Sequence, residues 1–523
     1  MKKFLRYLLS RDYLFTDSAI LLYLAMAKLL LHLFASTNFG IHRDEFLYLA
    51  MGDHLDWGFR EPPPSIAFFG TIITAILGDN VFAIRFLPAL LGSLIVLLTG
   101  ASARLMGGGR FAMAISGLAI LISPLFLRSS TLFQPVIFNQ FYWTLASFLF
   151  INAVLQKRKW HWWLAIGVVC GLGLLNKYTM LLWGSGIAIG LLLSNQRKQL
   201  LTPWPWLAFI IAGLIFLPNI QWQQANNWPL LEHLSQLQSQ QLIHVATTDF
   251  LIEQMLMLHP ATIVIWPLGI LFYFTSKTGN SFRALGCVYI ISLLLLLYLN
   301  GKSYYLGPAY PAMIAGGAIY LERFILSKKL YWLKPITVTG LLLTGVILAP
   351  YGAPILPVRY MEFYVSSMAE YAGLEAPLRT NDGRIGKLPQ DYSDMHGWKN
   401  QVNTIAKVYN ELSEEDKEEC VILAGNYGEA GSLDFFGPAA GLPTPVSFNS
   451  SYYRWGPGDK PGNVVITVGI PLEELKKYFG KIRRKSVIEH RYAIRYENQL
   501  PVYLCRNPVK PLQELWPEWQ IYQ

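Results

Sequence analysis

The chain has 523 residues, of which 53% are hydrophobic and 15% charged, and its mean hydropathy is +0.33. This composition is too apolar for a soluble protein of that length, so it argues against the soluble classes and predicts repeated membrane spans. The formal net charge of +10 agrees with basic cytoplasmic loops, which orient membrane spans, and not with a nucleic-acid partner. We therefore expect a polytopic α-helical membrane protein that contacts membrane lipids.

Apolar runs recur along the first two thirds of the chain. A span needs about 20 mostly apolar residues, and the sequence offers about eleven such runs, some of them short. The predicted spans are 17–36, 81–103, 111–127, 136–155, 161–176, 179–194, 203–218, 253–273, 284–299, 309–326 and 336–351. The first run has no small-residue cleavage site after it, so we expect it to remain as a span rather than to be removed as a signal peptide.

Basic residues alternate between the connections. They precede the first predicted span and follow every even-numbered span, as far as Lys328 and Lys329 after the tenth. The positive-inside rule then predicts a cytoplasmic N-terminus. The segments expected on the outer face are 37–80, 219–252, 300–308 and everything after about 351. Lys28, inside the first span, is expected to face the helix bundle rather than lipid.

The first outer loop is rich in carboxylates for a segment between two apolar runs. It reads IHRDEFLYLAMGDHLDWGFREPPPSIAFF over residues 41–69. Asp44 and Glu45 lie just beyond the first span, where an unpaired charge is costly. A carboxylate held there fits a general base oriented by a neighbour, so we predict Asp44 and Glu45 as catalytic. The structural alternative is that Asp44 caps a short helix in EFLYLAMGDHL.

A second carboxylate of interest in this loop is Glu61, which precedes Pro62, Pro63 and Pro64. A proline run fixes the backbone, so it can hold the Glu61 side chain at one depth. A salt bridge with the adjacent Arg60 is the structural alternative.

Cations are scarce on the predicted outer face, and those present lie at helix ends. Arg128 and Lys177 lie at two outer turns, and Lys302 lies at a third, within NGKSYYLGPAYP beside Tyr304 and Tyr305. These side chains fit an anionic ligand, a phosphate above all. Snorkelling to lipid headgroups is the alternative for each cation.

The outer loop 219–252 carries Glu232, His233 and His244 among aromatic and amide side chains. This setting suits sugar binding or a metal ion, although a lone histidine is more often simply hydrogen-bonded.

From about residue 352 the long apolar runs stop. Short β-rich runs then alternate with helical patterns, as in ECVILAGNYGEAGSLDFFG and GNVVITVGIPLEELKKYFG, which is typical of a small α/β domain. We expect a transmembrane catalytic domain at 1–351, with outer loops at 37–80 and 219–252, and a water-exposed α/β domain at 352–523. Cys420 and Cys505 are expected to form a disulfide only if their strands are neighbours.

Several motifs follow one another in a recognisable order. They are HRDEFLYLA and FREPPPS in the first outer loop, NKYT and KSYYLGPAYP at later outer turns, and LPQDYSDMHGW, NYGEAGSLDFFG and NSSYYRWGP near the C-terminus. In this order they resemble the GT-C membrane glycosyltransferases, specifically the bacterial relatives of the protein O-mannosyltransferases and the lipid A aminoarabinose transferase. The resemblance covers most of the chain and implies the GT-C fold, with a C-terminal periplasmic α/β domain.

The resemblance implies an enzyme that moves a hexose or pentose from a polyprenyl-phosphate donor to a lipid, glycan or protein acceptor. The reaction would take place at the periplasmic face of the bacterial inner membrane, without a nucleotide cofactor. By this resemblance Asp44 is the catalytic base of an inverting displacement. Lys177 and Lys302, with Tyr304 and Tyr305, would lie near the donor phosphate.

The aminoarabinose transferase pattern also pairs a glutamate of the first outer loop with a histidine of a later one as metal ligands. Glu61 and His233 are the matching residues, which implies a divalent metal cation. The pattern has a lysine directly after the glutamate, where this sequence has Pro62. This departure leaves the metal, and lipid A as the acceptor, open.

Two rival functions belong to other classes. A lipid or glycan transporter, or flippase, also has many spans, but such proteins usually place ionisable residues near the bilayer midplane, whereas the charges here cluster at outer helix ends. A glycan-binding module would use aromatic residues of the C-terminal region, namely Trp398, Tyr452, Tyr453 and Trp455. A membrane anchor for such a module would need far fewer spans.

Overall fold

The computed structural model describes residues 16–156, 159–240, 247–381 and 383–522. The basic residues before the first span, Lys157, Arg158 and His244 lie outside these residues. The chain folds into two compact units. We call Met1–Ser36, Pro62–Ile66 and Phe82–Ile355 the helical unit, and Thr37–Glu61, Ala67–Val81 and Leu356–Gln523 the sheet unit.

Helices dominate the described residues. The α-helices, in chain order, are α1 (Asp17–Ala35), α2 (Arg43–Asp53), α3 (Ser65–Leu77), α4 (Val81–Leu105), α5 (Arg110–Ile122), α6 (Pro124–Thr131), α7 (Pro135–Leu155), α8 (Trp160–Leu174), α9 (Met180–Leu192), α10 (Pro203–Ala225), α11 (Pro229–Gln240), α12 (Thr247–Leu258), α13 (Trp266–Thr275), α14 (Arg283–Tyr298), α15 (Tyr310–Ser327), α16 (Leu333–Gly352), α17 (Val358–Ala372), α18 (Gln390–Ser393), α19 (Trp398–Asn410), α20 (Glu414–Glu419), α21 (Tyr427–Phe436), α22 (Ser451–Trp455), α23 (Leu472–Tyr478) and α24 (Leu512–Leu515). Short 3-10 helices cover Arg197–Leu201, Pro260–Val264, Gly279–Phe282, Ser303–Ala309, Ala376–Leu378, Pro438–Ala440, Arg495–Glu497 and Trp516–Tyr522.

Helices cover the predicted apolar runs, because a backbone in lipid must satisfy its hydrogen bonds internally. Two of the runs, 111–127 and 253–273, are each divided between helices that meet at a sharp bend. By length and composition, 5 helices of the described residues qualify as membrane spans: α1, α4, α10, α16 and Gly279–Tyr298. The number rises to 7 if two bent pairs, Arg110–Ile122 with Pro124–Thr131 and Thr247–Leu258 with Pro260–Thr275, are each one span. The helices α3, α8 and α9 are apolar but shorter. The protein is thus a multi-pass membrane protein, and the predicted count of about eleven spans stays a prediction.

The interior of the helical unit contains one charged side chain of the first span. Lys28 is fully buried, as expected for a lysine that faces the bundle. A cation within a span avoids lipid because its desolvation there is costly.

The first outer loop is not irregular, since it contains α2 and the start of α3. Residues 37–61 and 67–81 group with the sheet unit rather than with the spans before and after them. The side chains of Leu47, Met51 and Phe59 join the hydrophobic core on one face of the sheet. Burial of these residues ties the carboxylate-rich loop to the C-terminal part of the chain.

The sheet unit contains a mixed five-stranded sheet, which confirms the predicted α/β domain. The strands are β1 (Cys420–Ala424), β2 (Val446–Ser447), β3 (Val464–Val468), β4 (Phe479–Ile488) and β5 (Leu500–Pro508). Their order is β2-β1-β3-β5-β4, with β2, β1 and β3 parallel and β5 antiparallel to both neighbours. β1 and β3 are buried along their whole length, as their continuous apolar sequences predict. β4 is an edge strand whose basic side chains protect it from pairing with another chain.

The strands of Cys420 and Cys505 are not neighbours, because β3 lies between β1 and β5. Both cysteines are buried free thiols, and the disulfide that neighbouring strands would have allowed does not form.

Candidate active site

The helix α2 positions the predicted catalytic carboxylates. His42 is its N-cap and accepts the backbone N–H of Asp44 on Nδ1, at 3.1 Å. Glu45 completes a capping box, since its Oε2 accepts the backbone N–H of His42 at 2.8 Å. The alternative in which Asp44 caps this helix is therefore wrong, because the helix begins at Arg43 and its N-cap is His42, two residues before Asp44. Glu45 is fully buried in this capping role, so its predicted catalytic role, which stays a prediction, gains no support from its position.

Asp44 lies in the first turn of α2, and its carboxylate is held by a residue far away in the sequence. The hydroxyl of Tyr427 donates a hydrogen bond to Asp44 Oδ1 at 2.8 Å. Tyr427 is the first residue of α21, which packs against α2. The helix N-terminus around Asp44 also favours a negative charge.

Arg43 precedes Asp44 and lies between two tyrosine rings. Its guanidinium lies 4.6 Å from the ring centroid of Tyr427 and 5.3 Å from that of Tyr496. Arg43 Nη1 donates to the hydroxyl of Tyr496 at 2.8 Å, and that hydroxyl in turn lies 3.3 Å from Asp394 Oδ1. The positive charge of Arg43 therefore interacts with two aromatic ring faces and with the hydroxyl oxygen of Tyr496.

Further carboxylates surround the start of α2. His42 Nε2 lies 3.8 Å from an oxygen of Asp391 and 3.8 Å from one of Asp394. Burial opposes protonation of His42, but these carboxylates and Asp44 together raise its pKa. Because Nδ1 accepts the N–H of Asp44, the proton of the neutral imidazole is on Nε2, which faces these two carboxylates.

A pair of buried carboxyls, Glu429 and Glu497, lies in the same unit. Burial raises the pKa of both groups, and their mutual repulsion raises the pKa of Glu429 further. Glu429 Oε2 accepts the backbone N–H of Gly425 at 2.8 Å, and Glu497 Oε1 accepts an amide proton of Asn426 at 3.0 Å. Two buried carboxyls this close do not both ionise, because their negative charges repel. Through their hydrogen bonds with Gly425 and Asn426, the pair supports the start of α21.

Glu61 is held by two serines of the sheet unit. The hydroxyl of Ser450 donates to Oε1, and that of Ser451 donates to Oε2 at 2.6 Å. The predicted alternative, a salt bridge to Arg60, is not the contact that Glu61 makes. Ser450 has φ +61° and ψ −148°, a conformation that costs a non-glycine residue on the order of 1–3 kcal/mol. The hydrogen bonds to Glu61 help to offset that strain.

Lys177 lies in the turn between α8 and α9, within the motif NKYT. Asn176 donates through Nδ2 to the carbonyl of Pro135 at 2.9 Å, and Thr179 Oγ1 accepts from Asn139 Nδ2 at 3.0 Å. These two contacts anchor the turn on the start of α7. The backbone of the turn that carries Lys177 is therefore held in a fixed position.

The half-buried Lys177 is surrounded by aromatic rings and by other cations. Its Nζ lies 4.8 Å from the ring centroid of Tyr305 and 5.5 Å from that of Tyr304. Burial, together with the positive charges of Lys302 and Arg128, lowers the pKa of Lys177 to about 8. The structure thus brings together all five residues predicted to bind phosphate, which we call the cation cluster (Arg128, Lys177, Lys302, Tyr304 and Tyr305).

The loop that carries Lys302 and the two tyrosines is fixed by polar contacts from α12. Gln254 donates through Nε2 to the carbonyl of Ser303 at 3.2 Å, and its Oε1 accepts the hydroxyl of Tyr310 at 2.9 Å. Glu253 accepts the hydroxyl of Ser303. One carboxylate, that of Glu253, therefore lies beside the loop that carries Lys302.

The predicted metal ligands lie in different units, Glu61 in the sheet unit and His233 on α11 of the helical unit. Within the described ranges, no group of three or more His, Cys, Asp or Glu side chains could hold a metal ion. Both oxygens of Glu61 accept serine hydroxyls. The surroundings of Glu61 therefore fit hydroxyl donors rather than a metal ion, and the metal cofactor stays a prediction.

The aromatic residues that a glycan-binding module would use are engaged within the fold. Trp398 and Tyr452 are buried, and Tyr453 stacks on Trp516 with ring centroids 5.8 Å apart. Trp455 stacks on His54 at 4.2 Å. Two of the four aromatic residues are thus buried, and the other two are half-buried in stacks with rings of the same unit, so their positions add no support to the glycan-binding alternative.

Sequence reasoning missed the role of Tyr427. The motif NYGEAGSLDFFG does contain a local signal, because Asn426 and Glu429 have the spacing of a capping box and so mark the start of a helix after β1. No local pattern shows that the tyrosine reaches Asp44, 383 positions earlier.

Three comparisons with known proteins bear on this chain. The family model described as dolichyl-phosphate-mannose-protein mannosyltransferase matches residues 61–222. The chain is similar to the lipid A galacturonosyltransferase RgtD of Rhizobium johnstonii, with 26% identity over 201 residues. That match covers 38% of this chain and 41% of the relative, so it spans less than half of the length of this curated relative.

Solved structures resemble almost the whole chain. ArnT from Cupriavidus metallidurans, bound to undecaprenyl phosphate, has 13% identity and a TM-score of 0.59, covering 92% of this chain and 97% of that one. The oligosaccharyltransferase of Archaeoglobus fulgidus, in complex with Zn and sulfate, has 15% identity and a TM-score of 0.52, covering 86% of this chain and 68% of that one. At these identities the likeness establishes the fold, and it confirms the predicted GT-C architecture with a C-terminal sheet domain.

Proposed function

We propose that this chain is a membrane glycosyltransferase that transfers a sugar from a polyprenyl-phosphate donor to a lipid, glycan or protein acceptor, a proposal that its fold and its partial family match support. The observation that carries the proposal is the cation cluster. Burial, and after it the positive charges of Lys302 and Arg128, lower the pKa of Lys177 to about 8. A phosphate would relieve the repulsion among these cations, since each cation can form a charge-assisted hydrogen bond to it.

In the proposed reaction, an acceptor hydroxyl or amine attacks the anomeric carbon of the donor sugar. Asp44 takes the proton of that nucleophile as general base. The bond between the anomeric carbon and the phosphate oxygen breaks, and the configuration at that carbon inverts. Lys177, Lys302 and Arg128 stabilise the negative charge that develops on the leaving polyprenyl phosphate.

The class of donor is supported by a protein with a similar fold, since ArnT binds undecaprenyl phosphate. We extend that donor class to this chain because the cation cluster offers a site for the phosphate. The acceptor and the sugar, hexose or pentose, are left open by the described residues. We place the reaction on the periplasmic face of the bacterial inner membrane, because the basic loops predict that side for the carboxylates and for the cation cluster.

The test is a turnover assay on purified full-length protein in lipid nanodiscs. The protein is incubated with a panel of polyprenyl-phosphate sugars and an acceptor extract, and released polyprenyl phosphate is measured. We expect release by the wild type with at least one donor. The Asp44→Asn variant should release it about 10²–10⁴-fold more slowly, because general bases contribute on that scale.

The matched control is Asp56→Asn, which removes an exposed carboxylate from the same loop and should leave the rate unchanged. A parallel reaction with a chelator tests whether a divalent cation bound through Glu61 and His233 is required. No release from any donor would contradict the proposal, and equal rates for the wild type and Asp44→Asn would remove Asp44 as the base.

Lipid translocation is the second candidate, and one observation favours it. Lys28 is fully buried inside the first span, and its Nζ has no hydrogen-bond partner within the described part of the chain. Intramembrane ionisable residues often line a transport path. A transporter should move a fluorescent polyprenyl phosphate across a vesicle bilayer and lose this activity on Lys28→Met, whereas a transferase should move none.

A further inference from the structure

We propose that Tyr427, in the sheet unit, is a positioning residue for Asp44. This inference rests on the proposed function, in which Asp44 is the general base. Tyr427 lies in the motif NYGEAGSLDFFG, for which the reaction as described so far has no use. The tyrosine of this motif holds one carboxylate oxygen of Asp44 in a fixed orientation.

The contact itself joins two side chains that are each fixed at a helix start. The Tyr427 hydroxyl donates to Asp44 Oδ1 at 2.8 Å. The backbone N–H of Asp44 is held by His42 Nδ1 at 3.1 Å. Since both the backbone and one carboxylate oxygen are held, rotation of the carboxylate about its side-chain bonds is restricted, which favours one geometry for proton transfer.

Tyr427 can act in this way because its own position is fixed by the residues around it. Asn426 caps α21 by accepting the backbone N–H groups of Gly428 at 2.8 Å and Glu429 at 3.1 Å. The backbone N–H of Tyr427 donates to Asn449 Oδ1 at 3.3 Å. The start of α21 is thus tied both to the preceding turn and to the segment that follows β2.

Two glycines of the motif bring α21 close to α2. A Cβ atom at Gly431 would lie 2.6 Å from Phe46 Cβ, and one at Gly428 would lie 3.3 Å from Arg43 Cβ. Any larger residue at position 431 would push the helices apart. The glycines at these two positions therefore set the separation at which the Tyr427 hydroxyl reaches Asp44.

The charge around Tyr427 keeps it a hydrogen-bond donor. Burial, and then the negative charge of Asp44, raise the pKa of Tyr427 well above its usual value. The phenol therefore stays protonated throughout the pH range in which the protein works. Arg43 over its ring holds the ring plane without taking the hydroxyl, since Arg43 donates to Tyr496 instead.

The experiment compares Tyr427→Phe with the wild type, in full-length protein in nanodiscs. This change removes the hydroxyl but keeps the ring beneath Arg43. We expect kcat to fall about tenfold, since a hydrogen bond to a charged group is worth that much, while KM for the donor changes less than about twofold.

Two controls separate positioning from a merely structural role. Tyr503→Phe removes a hydroxyl from a buried tyrosine of β5 and should change neither kcat nor KM. Tyr427→Phe should cause no further loss of kcat in the Asp44→Asn background if it acts through Asp44. An unchanged kcat for Tyr427→Phe, or a further loss of the same size in the double variant, would overturn the inference.

A measurement without donor keeps the two proposals distinguishable. The free energies of unfolding of Tyr427→Phe, Asp44→Ala and the double variant should not add, because the single variants break the same hydrogen bond. Additive losses would overturn the contact whether or not any donor is turned over. A wild type that turns over no donor would overturn the proposed function, and with it the catalytic part of the inference.

Discussion

The carboxylates of the sheet unit and the cations of the helical unit are stabilised in opposite ways. Asp44 and Glu61 receive hydrogen bonds from hydroxyl groups of the chain itself, those of Tyr427, Ser450 and Ser451. The pKa of Lys177 is lowered first by burial and then by the charges of two further cations, Lys302 and Arg128. The carboxylates are thus held by hydrogen-bond donors of the chain itself, whereas the lowered pKa of Lys177 is one that a bound anion would raise.

This difference suggests how an enzyme of this kind divides its binding energy. A base needs a fixed geometry in every cycle, so permanent hydrogen bonds serve it well. A leaving-group site has a different requirement. Cations that are partly buried and repel one another interact more favourably as negative charge develops on the leaving group, so their stabilisation is greatest in the transition state.

The largest expected effect is on donor binding. The change Lys177→Met should weaken the binding of undecaprenyl phosphate about 100-fold, because it removes a charge-assisted contact from a desolvated site. The same change should leave the melting temperature of the donor-free protein unchanged or raise it, since it also removes a repelled cation. Calorimetric titration and thermal unfolding of the protein in nanodiscs measure the two quantities.

The control for this prediction is Lys198→Met, which removes an exposed lysine of the helical unit and should alter neither quantity. A lower melting temperature with unchanged affinity would mean that Lys177 is structural, and the contrast between the two regions would then fail.

A smaller effect is expected from pH. Because the pKa of Lys177 is about 8, its charge is lost as pH rises above that value. The polyprenyl phosphate has its full charge throughout this range. The affinity should therefore fall about fivefold between pH 8 and pH 9, in proportion to the protonated fraction of Lys177, and Lys177→Met should remove this dependence. An affinity of the wild type that does not change between pH 8 and pH 9 would contradict the lowered pKa of Lys177.

The same lowered pKa has a consequence for stability, with a definite sign. Between about pH 8 and the ordinary lysine value near pH 10.5, the unfolded chain holds a proton that the folded chain has released. The free energy of unfolding should then rise with pH across this window in donor-free protein. Chemical denaturation at pH 8 and pH 10 measures the change.

The smallest expected effect concerns Ser450, whose φ is positive. Ser450→Ala keeps the strained backbone and loses the hydrogen bond to Glu61, so it should lower the free energy of unfolding by about 1–2 kcal/mol. Ser450→Gly loses the same hydrogen bond but relieves the strain, so it should be about 1 kcal/mol more stable than the alanine variant. Thermal unfolding of both variants tests the order, and a glycine variant that is less stable than alanine would show that position 450 is unstrained.

Much of the candidate site was predictable because its signals are local. The motif NKYT, at the end of an apolar run, marks a turn that carries Lys177, and the aromatic pair in KSYYLGPAYP marks a second turn with Lys302. Their common location followed from the alternation of basic loops, which predicts one side of the membrane for both. Asp44 is predicted to be functional because an ionised carboxylate at the end of a span has a high desolvation cost, and such residues usually have a functional role.

Two structural alternatives fail for local reasons. The sequence allows Asp44 to cap its helix, whereas His42, a less common capping residue, is the N-cap together with Glu45. The sequence also allows a salt bridge between the adjacent Glu61 and Arg60, but adjacency in sequence does not make side chains face each other. The serines that hold Glu61 come from a segment about 390 positions later, and no periodic pattern connects them.

The sequence by itself determined the apolar helices, the α/β character of the C-terminal region and the residue types available for chemistry, because hydropathy and periodicity are properties of neighbouring residues. Only the tertiary structure decided that Glu45 helps to cap its helix, that Asp44 accepts the phenol hydroxyl of Tyr427, and that Glu61 accepts two serine hydroxyls. Those outcomes depend on hydrogen bonds of about 3 Å between groups that are hundreds of residues apart. Such distances are set by helix packing, as at Gly431 against Phe46, and not by any pattern along the chain.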